Sequence, residues 1–408
     1  MADRGRSDPP SSAFLAWAPQ AAMLSAVVSV SVLPLMLTGA MAVRLQSSLG
    51  FGEGELGASF AVFFATAAAS STVLGEVSER LGAIRSLRIG SLVAALVLLG
   101  IAVLAHSWAS LVALLAVAGI GSALTRPAAS LYIARLITPS RQGLAFGINH
   151  SSVPIATLVA GLVVPTVALT VGWRWGFVVG AVLAVLALVG VPRGHDAVGT
   201  RMVADRADDL PPRLLVLLAA SVALGTAGAS SLGAFSVPTI VDAGLGEGAA
   251  GLLYAAASVA GLVSRVAVGW LADRREAGHL QFVAGMLLVG AVAFVLMGSG
   301  RLGLVVVAVP LASASAWAFL GVFNLAIVRM NPAAPAAATG VTQAGAFVGG
   351  VAGPWGLGEL AEGGSFAMAW LVAGGLTLLA VGTVLHARSL VRGRGRIDLP
   401  PAPGLEDG

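Results

Sequence analysis

Three basic side chains stand deep inside apolar runs, where charge is rare. Arg265 lies eight residues before Asp273, Arg126 nine before Arg135, and His150 nine after Arg141. At 1.5 Å per helical residue each is about 12–14 Å from its polar end, and half a bilayer core is about 15 Å. All three therefore share one level near a membrane midplane. The 19 carboxylates fall in loops, tails or helix ends. A guanidinium in the apolar core costs roughly 2.5 kcal/mol or more, and water, backbone carbonyls or an anion must offset that cost. The chemistry that fits is anion binding. Arg265 is the expected principal binder, because guanidinium meets carboxylate bidentately. Arg126 is the expected second binder. His150 is a hydrogen-bond donor and candidate proton carrier. Plainer readings stay open. Arg265 would bond carbonyls of a neighbouring helix, Arg126 would snorkel to the headgroups, and His150 would make an interhelical hydrogen bond.

The surrounding stripes at helical spacing are small and polar: Ser122, Arg126, Ser130; Tyr254, Ser258, Gly261, Arg265, Gly269; and Gly147, His150, Pro154, Thr157, Gly161. Trp317, Ser230, Asn324 and Thr342 are further candidates for a cavity wall.

The elements that hold these residues follow from composition. The 408 residues are 57% apolar and 10% charged, against about 25% charged in soluble domains. Lipid is the expected solvent for most of the chain. The net charge is only +4, all 23 basic residues are arginine, and they cluster between apolar runs. That pattern suits membrane topology and not nucleic acid. There is no cysteine, which excludes disulfides and thiolate metal sites.

Runs long enough to cross a bilayer are expected at 19–43, 56–78, 86–106, 108–136, 142–170, 174–192, 213–241, 248–272, 279–300, 302–329, 336–360 and 365–388. This gives an all-α membrane protein of twelve transmembrane helices in two six-helix bundles. The expected parts are a tail 1–18, a bundle 19–192, a linker 193–212, a bundle 213–388 and a tail 389–408. With the amino terminus inside, 18 arginines fall on cytoplasmic segments, three outside and two within spans. Both termini are then cytoplasmic, and the protein is expected to be multi-pass in the plasma membrane of a bacterium.

The two bundles repeat. Gly50, Glu53 and Gly57 recur as Gly244, Glu247 and Gly251, and Gly75, Glu79 and Arg80 recur as Gly269, Asp273 and Arg274. Every shift is 194 residues. Parallel repeats of this kind are a design of alternating-access transporters. Arg265 breaks the repeat, since Ser71 holds the equivalent place.

Twelve spans, the six-plus-six division and a Gly-x-x-x-Asp/Glu-Arg signature ending spans two and eight resemble the major facilitator superfamily. The first copy departs from the pattern, with Glu79 for the usual aspartate and Ala83-Ile84 where basic residues are common. Gly147 to Pro154 and Gly349 to Pro354 are similar to the cyanate-transporter-like branch. The order Arg265, Gly269, Asp273 is similar to oxalate/formate and monocarboxylate carriers. The resemblance implies a cavity lined by spans one, four, seven and ten, with span five against span eight. It also implies a cytoplasmic gate at Gly75, Glu79, Arg80, Gly269, Asp273 and Arg274. The alternative for those charges is simple anchoring in the headgroups. Gly349, Gly353 and Pro354 read as a hinge or packing seam.

The expected function is secondary transport of a small organic or inorganic anion, with proton symport or exchange for a counter-substrate. The alternatives are proton-coupled efflux of a drug or amphipathic metabolite, and a non-transporting receptor or scaffold. No metalloprotease, phosphate-loop or nucleophile-elbow motif is present. No enzyme activity, catalytic residue, cofactor or metal is expected, and the protein is expected to act as a monomer.

Overall fold

The computed structural model describes residues 10–136, 149, 151–193, 210–273, 278–331 and 335–397, and every regular element among them is a helix. Span one is Pro10–Ala40, followed after a bend at Met41 by a short helix Ala42–Leu49. Spans two, three and four are Glu53–Leu81, Ala83–Leu104 and Trp108–Leu136. Span five is Ser152–Val163, running on as a π-helical turn Val164–Ala168. Span six is Trp173–Gly190, span seven Pro212–Asp242, span eight Glu247–Asp273 and span nine His279–Met297. Span ten is Leu302–Ser315 and Phe319–Met330, span eleven Pro335–Gly363 and span twelve Phe366–Ile397.

The first helix starts earlier and the last ends later than the expected tail boundaries. The run Ala13-Phe14-Leu15-Ala16-Trp17 continues the apolar character of span one outward. At the other end the helix carries on into an arginine-rich sequence, where cations suit a helix carboxyl terminus. Most of the expected linker, residues 194–209, and the expected start of span five lie outside the described residues.

Local irregularities have local causes. Pro165 carries no N–H, and the ladder around it widens to Leu169 N donating to Val164 O at 3.0 Å. Span ten breaks over 316–318. At Met41 the axis bends while the ladder continues, with Met41 N donating to Leu37 O at 2.9 Å and Leu45 N to Met41 O at 3.0 Å.

Lipid-type exteriors and packed interiors alternate around each helix. Leu96, Val189, Val307 and Leu379 are each at least 60% exposed. Such side chains on the outer surface suit a hydrocarbon solvent. Inside, spans one, three, four, five and six pack together, with span two on span four, and spans seven to twelve form a second group. Span eleven runs along span seven through Gly345, Gly349 and Gly353. A Cβ at each would strike the carbonyl of Ala219, Ala223 or Ala227. Small residues spaced by four let the two backbones meet.

The groups touch along span two with span eleven, span five with span eight, and span one with span seven. We call the face carrying the chain ends and the 193–212 connection the terminal face, and the opposite one the distal face. Cross-group contacts run from the distal face to mid-depth, where Gly350 meets Phe64 and Gly39 meets Gly233. Towards the terminal face an added Cβ at Gly75 or Gly340 meets nothing within 4 Å. Among the described residues the contacts between the halves thus lie from the distal face to mid-depth.

Candidate functional site

A cavity lies between the two groups, walled by side chains of both. Span eight supplies Tyr254, Ser258, Gly261 and Arg265, which are the expected stripe with period 3.6. Span five supplies Val153, Pro154 and Thr157; spans seven and ten supply Ser230, Leu232, Gly233, Ser313 and Trp317; spans one and two supply Met36 and Phe64.

The wall is mostly apolar, and its hydroxyls are largely spent on the helices that carry them. Thr157 Oγ1 donates to Val153 O at 2.9 Å, Ser258 to Tyr254 O at 2.8 Å and Ser230 to Thr226 O at 2.8 Å. Trp317, at the break in span ten, donates Nε1 to Ala229 O at 2.8 Å. Fixing the indole to span seven holds its ring as wall rather than as donor. Tyr254, on one half, directs its hydroxyl to Gly233 O at 3.5 Å, and Thr157, on the other half, lines the same cavity.

Arg265 is the charged group of this lining. Arg126 is not in the lining itself, but it is exposed although mid-span. It lies near enough for its charge to act on Arg265. It therefore faces the space between the halves and not lipid. Two guanidinium groups from opposite halves thus lie near enough for their charges to interact. The described acidic side chains sit at the ends: Glu53, Glu55, Asp242, Glu247, Glu359 and Glu362 distally, Glu76 and Glu79 terminally.

His150 lies outside the described residues. Its helical neighbours Pro154 and Thr157 line the cavity with Arg265. Met36, Phe64, Val153, Leu232, Gly233 and Ser313 join the wall beyond the expected residues. Met36, Phe64 and Leu232 are apolar, and from sequence an apolar cavity residue looks like a packing residue.

At the terminal ends of spans two and eight, Glu79 and Arg80 are exposed. Among the described residues Arg80 pairs with Glu76 of its own helix, at 3.8 Å and with both groups mostly exposed. Such a pair contributes little. Gly269 and Asp273 are helical, and Arg274 lies outside the described residues. Gly349, Gly353 and Pro354 belong to packed seams: the glycines against span seven, the carbonyl of Pro354 against Gly57 of span two.

Comparison with known proteins follows the same lines. Residues 21–354 match the family model described as Major Facilitator Superfamily. No curated protein sequence matches the chain. Among solved structures, the chain is similar to a bacterial homologue of the human lysosomal transporter Spinster, in an inward-facing and occupied conformation. That match has 15% identity, covers 97% of this chain and 100% of the other, and has a TM-score of 0.67. It is also similar to the nucleoside transporter NupG, at 13% identity over 90% of this chain and 99% of the other, with a TM-score of 0.70. At these identities the likeness is one of fold.

Proposed function

The chain belongs to the Major Facilitator Superfamily, and we propose that it carries a small anion across the plasma membrane by alternating access. The observation that carries this reading is Arg265 in the wall of the cavity, with Arg126 of the opposite half near enough for its charge to act on it. Two like charges repel most strongly where the dielectric is low. An anion between them converts that repulsion into two attractions, and it does so only when both halves are close. Binding then favours the closed, occupied form over either open form, which is what a carrier needs.

Arg265 binds the anionic group bidentately from span eight, and Arg126 supplies the second charge from span four. His150 shuttles a proton, or a counter-anion returns, so that net charge transfer is limited. Gly75, Glu79, Arg80, Gly269, Asp273 and Arg274 form the cytoplasmic gate. The terminal face is the cytoplasmic one, following the arginine distribution. The contacts between the halves at the distal face suit an inward-facing state, the state of the Spinster homologue it resembles.

The apolar wall of Met36, Phe64, Leu232 and Trp317 favours a second reading, in which the solute is an amphipathic metabolite. Flux in proteoliposomes separates the two. The panel is monocarboxylates, dicarboxylates, cyanate and cationic dyes, with and without a pH gradient. Anion flux that vanishes in Arg265→Ala supports the first reading; dye flux without anion flux supports the second.

A further inference from the structure

Arg265 has a neighbour that looks the other way. Ser264 stands in the wall of a second hollow, on the outside of the second half, with Phe282 and Val289 of span nine and Leu311 and Ala314 of span ten. Val289 is 42% exposed, so this hollow opens on the hydrocarbon side. Consecutive residues of a helix stand about 100° apart around its axis. Ser264 therefore faces the outer hollow while Arg265 faces the central cavity. A turn of span eight by one residue would exchange the two, so the rotation of that helix decides whether the guanidinium serves the site.

Span ten breaks where it meets this part of span eight. Ala316 N still donates to Ala312 O at 2.8 Å, and among the described residues the ladder then lapses until Leu320 N donates to Trp317 O at 3.4 Å. Ser313 O and Ala314 O thereby lose the N–H groups that lie four residues on in an unbroken helix, at a depth where water is scarce. Span eight meets both carbonyls. Ser264 Oγ donates to Ala314 O. A Cβ on Gly261, three residues earlier, would sit 2.9 Å from Ser313 O, so the glycine is what lets the helices approach closely enough for that bond. The first half holds a similar bond in another place. Thr66 Oγ1 of span two lies 3.0 Å from Ala116 O of span four, again a hydroxyl and a carbonyl 50 residues apart. From Thr66 to Ser264 is 198 residues, four more than the repeat. Four residues are about one helical turn, so the bond has moved one turn towards the terminal face, to the residue beside Arg265. Ser70, which holds the place equivalent to Ser264, donates to Thr66 O of its own helix instead.

We propose that Ser264 is a positioning residue: by binding the carbonyl that the break in span ten leaves unmatched, it fixes the rotation of span eight and aims Arg265 into the cavity. A rotation that parted the two would leave a hydroxyl and a carbonyl unpaired in an apolar medium, which is costly. The break in span ten thereby supplies the acceptor that an unbroken helix would withhold. For its effect on uptake the inference rests on the anion reading; the orientation itself can be tested without a solute.

The chain has no cysteine, so Arg265→Cys introduces a single thiol. Its rate of reaction with a charged methanethiosulfonate, applied to both faces of permeabilised membranes, reports whether position 265 faces water. Adding Ser264→Ala should lower that rate about fivefold, the scale of one hydrogen bond. Adding Ser264→Thr, which keeps the hydroxyl, should leave it within about twofold. The thiol of Ser313→Cys, in the same wall, should react equally fast with and without Ser264→Ala, which reports an intact fold. In the chain that keeps Arg265, Ser264→Ala should raise KM for a labelled monocarboxylate about fivefold, with kcat within about twofold. An unchanged rate at position 265 in Ser264→Ala, or an equal fall in Ser264→Thr, overturns the inference whatever the solute. An equal change at position 313, or a fall in kcat at constant KM, also overturns it. No anion flux in the parent, with the labelling as expected, would count against the anion reading alone.

Discussion

Spans two and eight are the same helix used twice, and the difference between them locates the site. Both begin with a glutamate, press a glycine against the opposite half one turn later, and end in a glycine–acid–arginine signature. Eight residues before that final acid they diverge. Ser71 donates its hydroxyl to Ala68 O at 2.8 Å, a contact within its own helix. Arg265 lines the cavity and feels Arg126 of the other half. Symmetry builds a scaffold that can rock, and the departure from symmetry supplies a charge to recognise a solute.

The largest expected effect comes from removing that departure. Arg265→Ala should lower anion uptake about 100-fold, the scale of losing a buried charge contact. Arg265→Lys should restore only part of it, because an ammonium cannot make the bidentate contact. Membrane abundance measured alongside uptake separates binding from folding.

Gly353→Leu should act on the scaffold instead. Its side chain would have to enter the backbone of span seven at Ala227, an overpacking that costs roughly 3 kcal/mol or more. Thermal unfolding in detergent should show a lower midpoint and poor yield. A normal midpoint would mean that span eleven is free to slide, and the seam would then be a hinge. Arg126→Ala should reduce uptake about tenfold, less than Arg265→Ala, because a more exposed charge is better screened.

The comparison is sharpest in a transplant. Ser71→Arg combined with Arg265→Ser returns the same charge to the symmetry-related place. Uptake should stay as low as in Arg265→Ser alone, since the wall of Tyr254, Trp317 and Thr157 has no copy there. Recovery would show that only the net charge of the cavity matters. Ser258→Ala should change uptake by no more than about twofold, because its hydroxyl already serves the Tyr254 carbonyl.

Much of this was legible in the sequence. Apolar run length fixed the number of spans, because a bilayer sets one length for every crossing helix. The 194-residue register announced the two bundles. The stripe Tyr254, Ser258, Gly261, Arg265 was visible as polarity at helical spacing, and the structure places all four on one wall. Other parts were hidden. Nothing marks Met36 or Phe64 as cavity residues rather than core. The partners of Gly57 and Gly251 were hidden too, although their duplication was plain, because a glycine's partner is set by the opposite helix and leaves no trace in its own. The ion pair of Arg44 with Glu247 joins residues 203 positions apart, and no local pattern connects them.

The central claim is that Arg265 binds an anionic solute in transit. The most direct measurement is uptake of labelled monocarboxylates and cyanate into proteoliposomes holding equal amounts of the parent and Arg265→Ala proteins. The account predicts saturable anion uptake by the parent and about 100-fold less by the variant, with both proteins equally folded. Equal anion uptake by the two proteins, or dye transport with no anion transport by either, would contradict it.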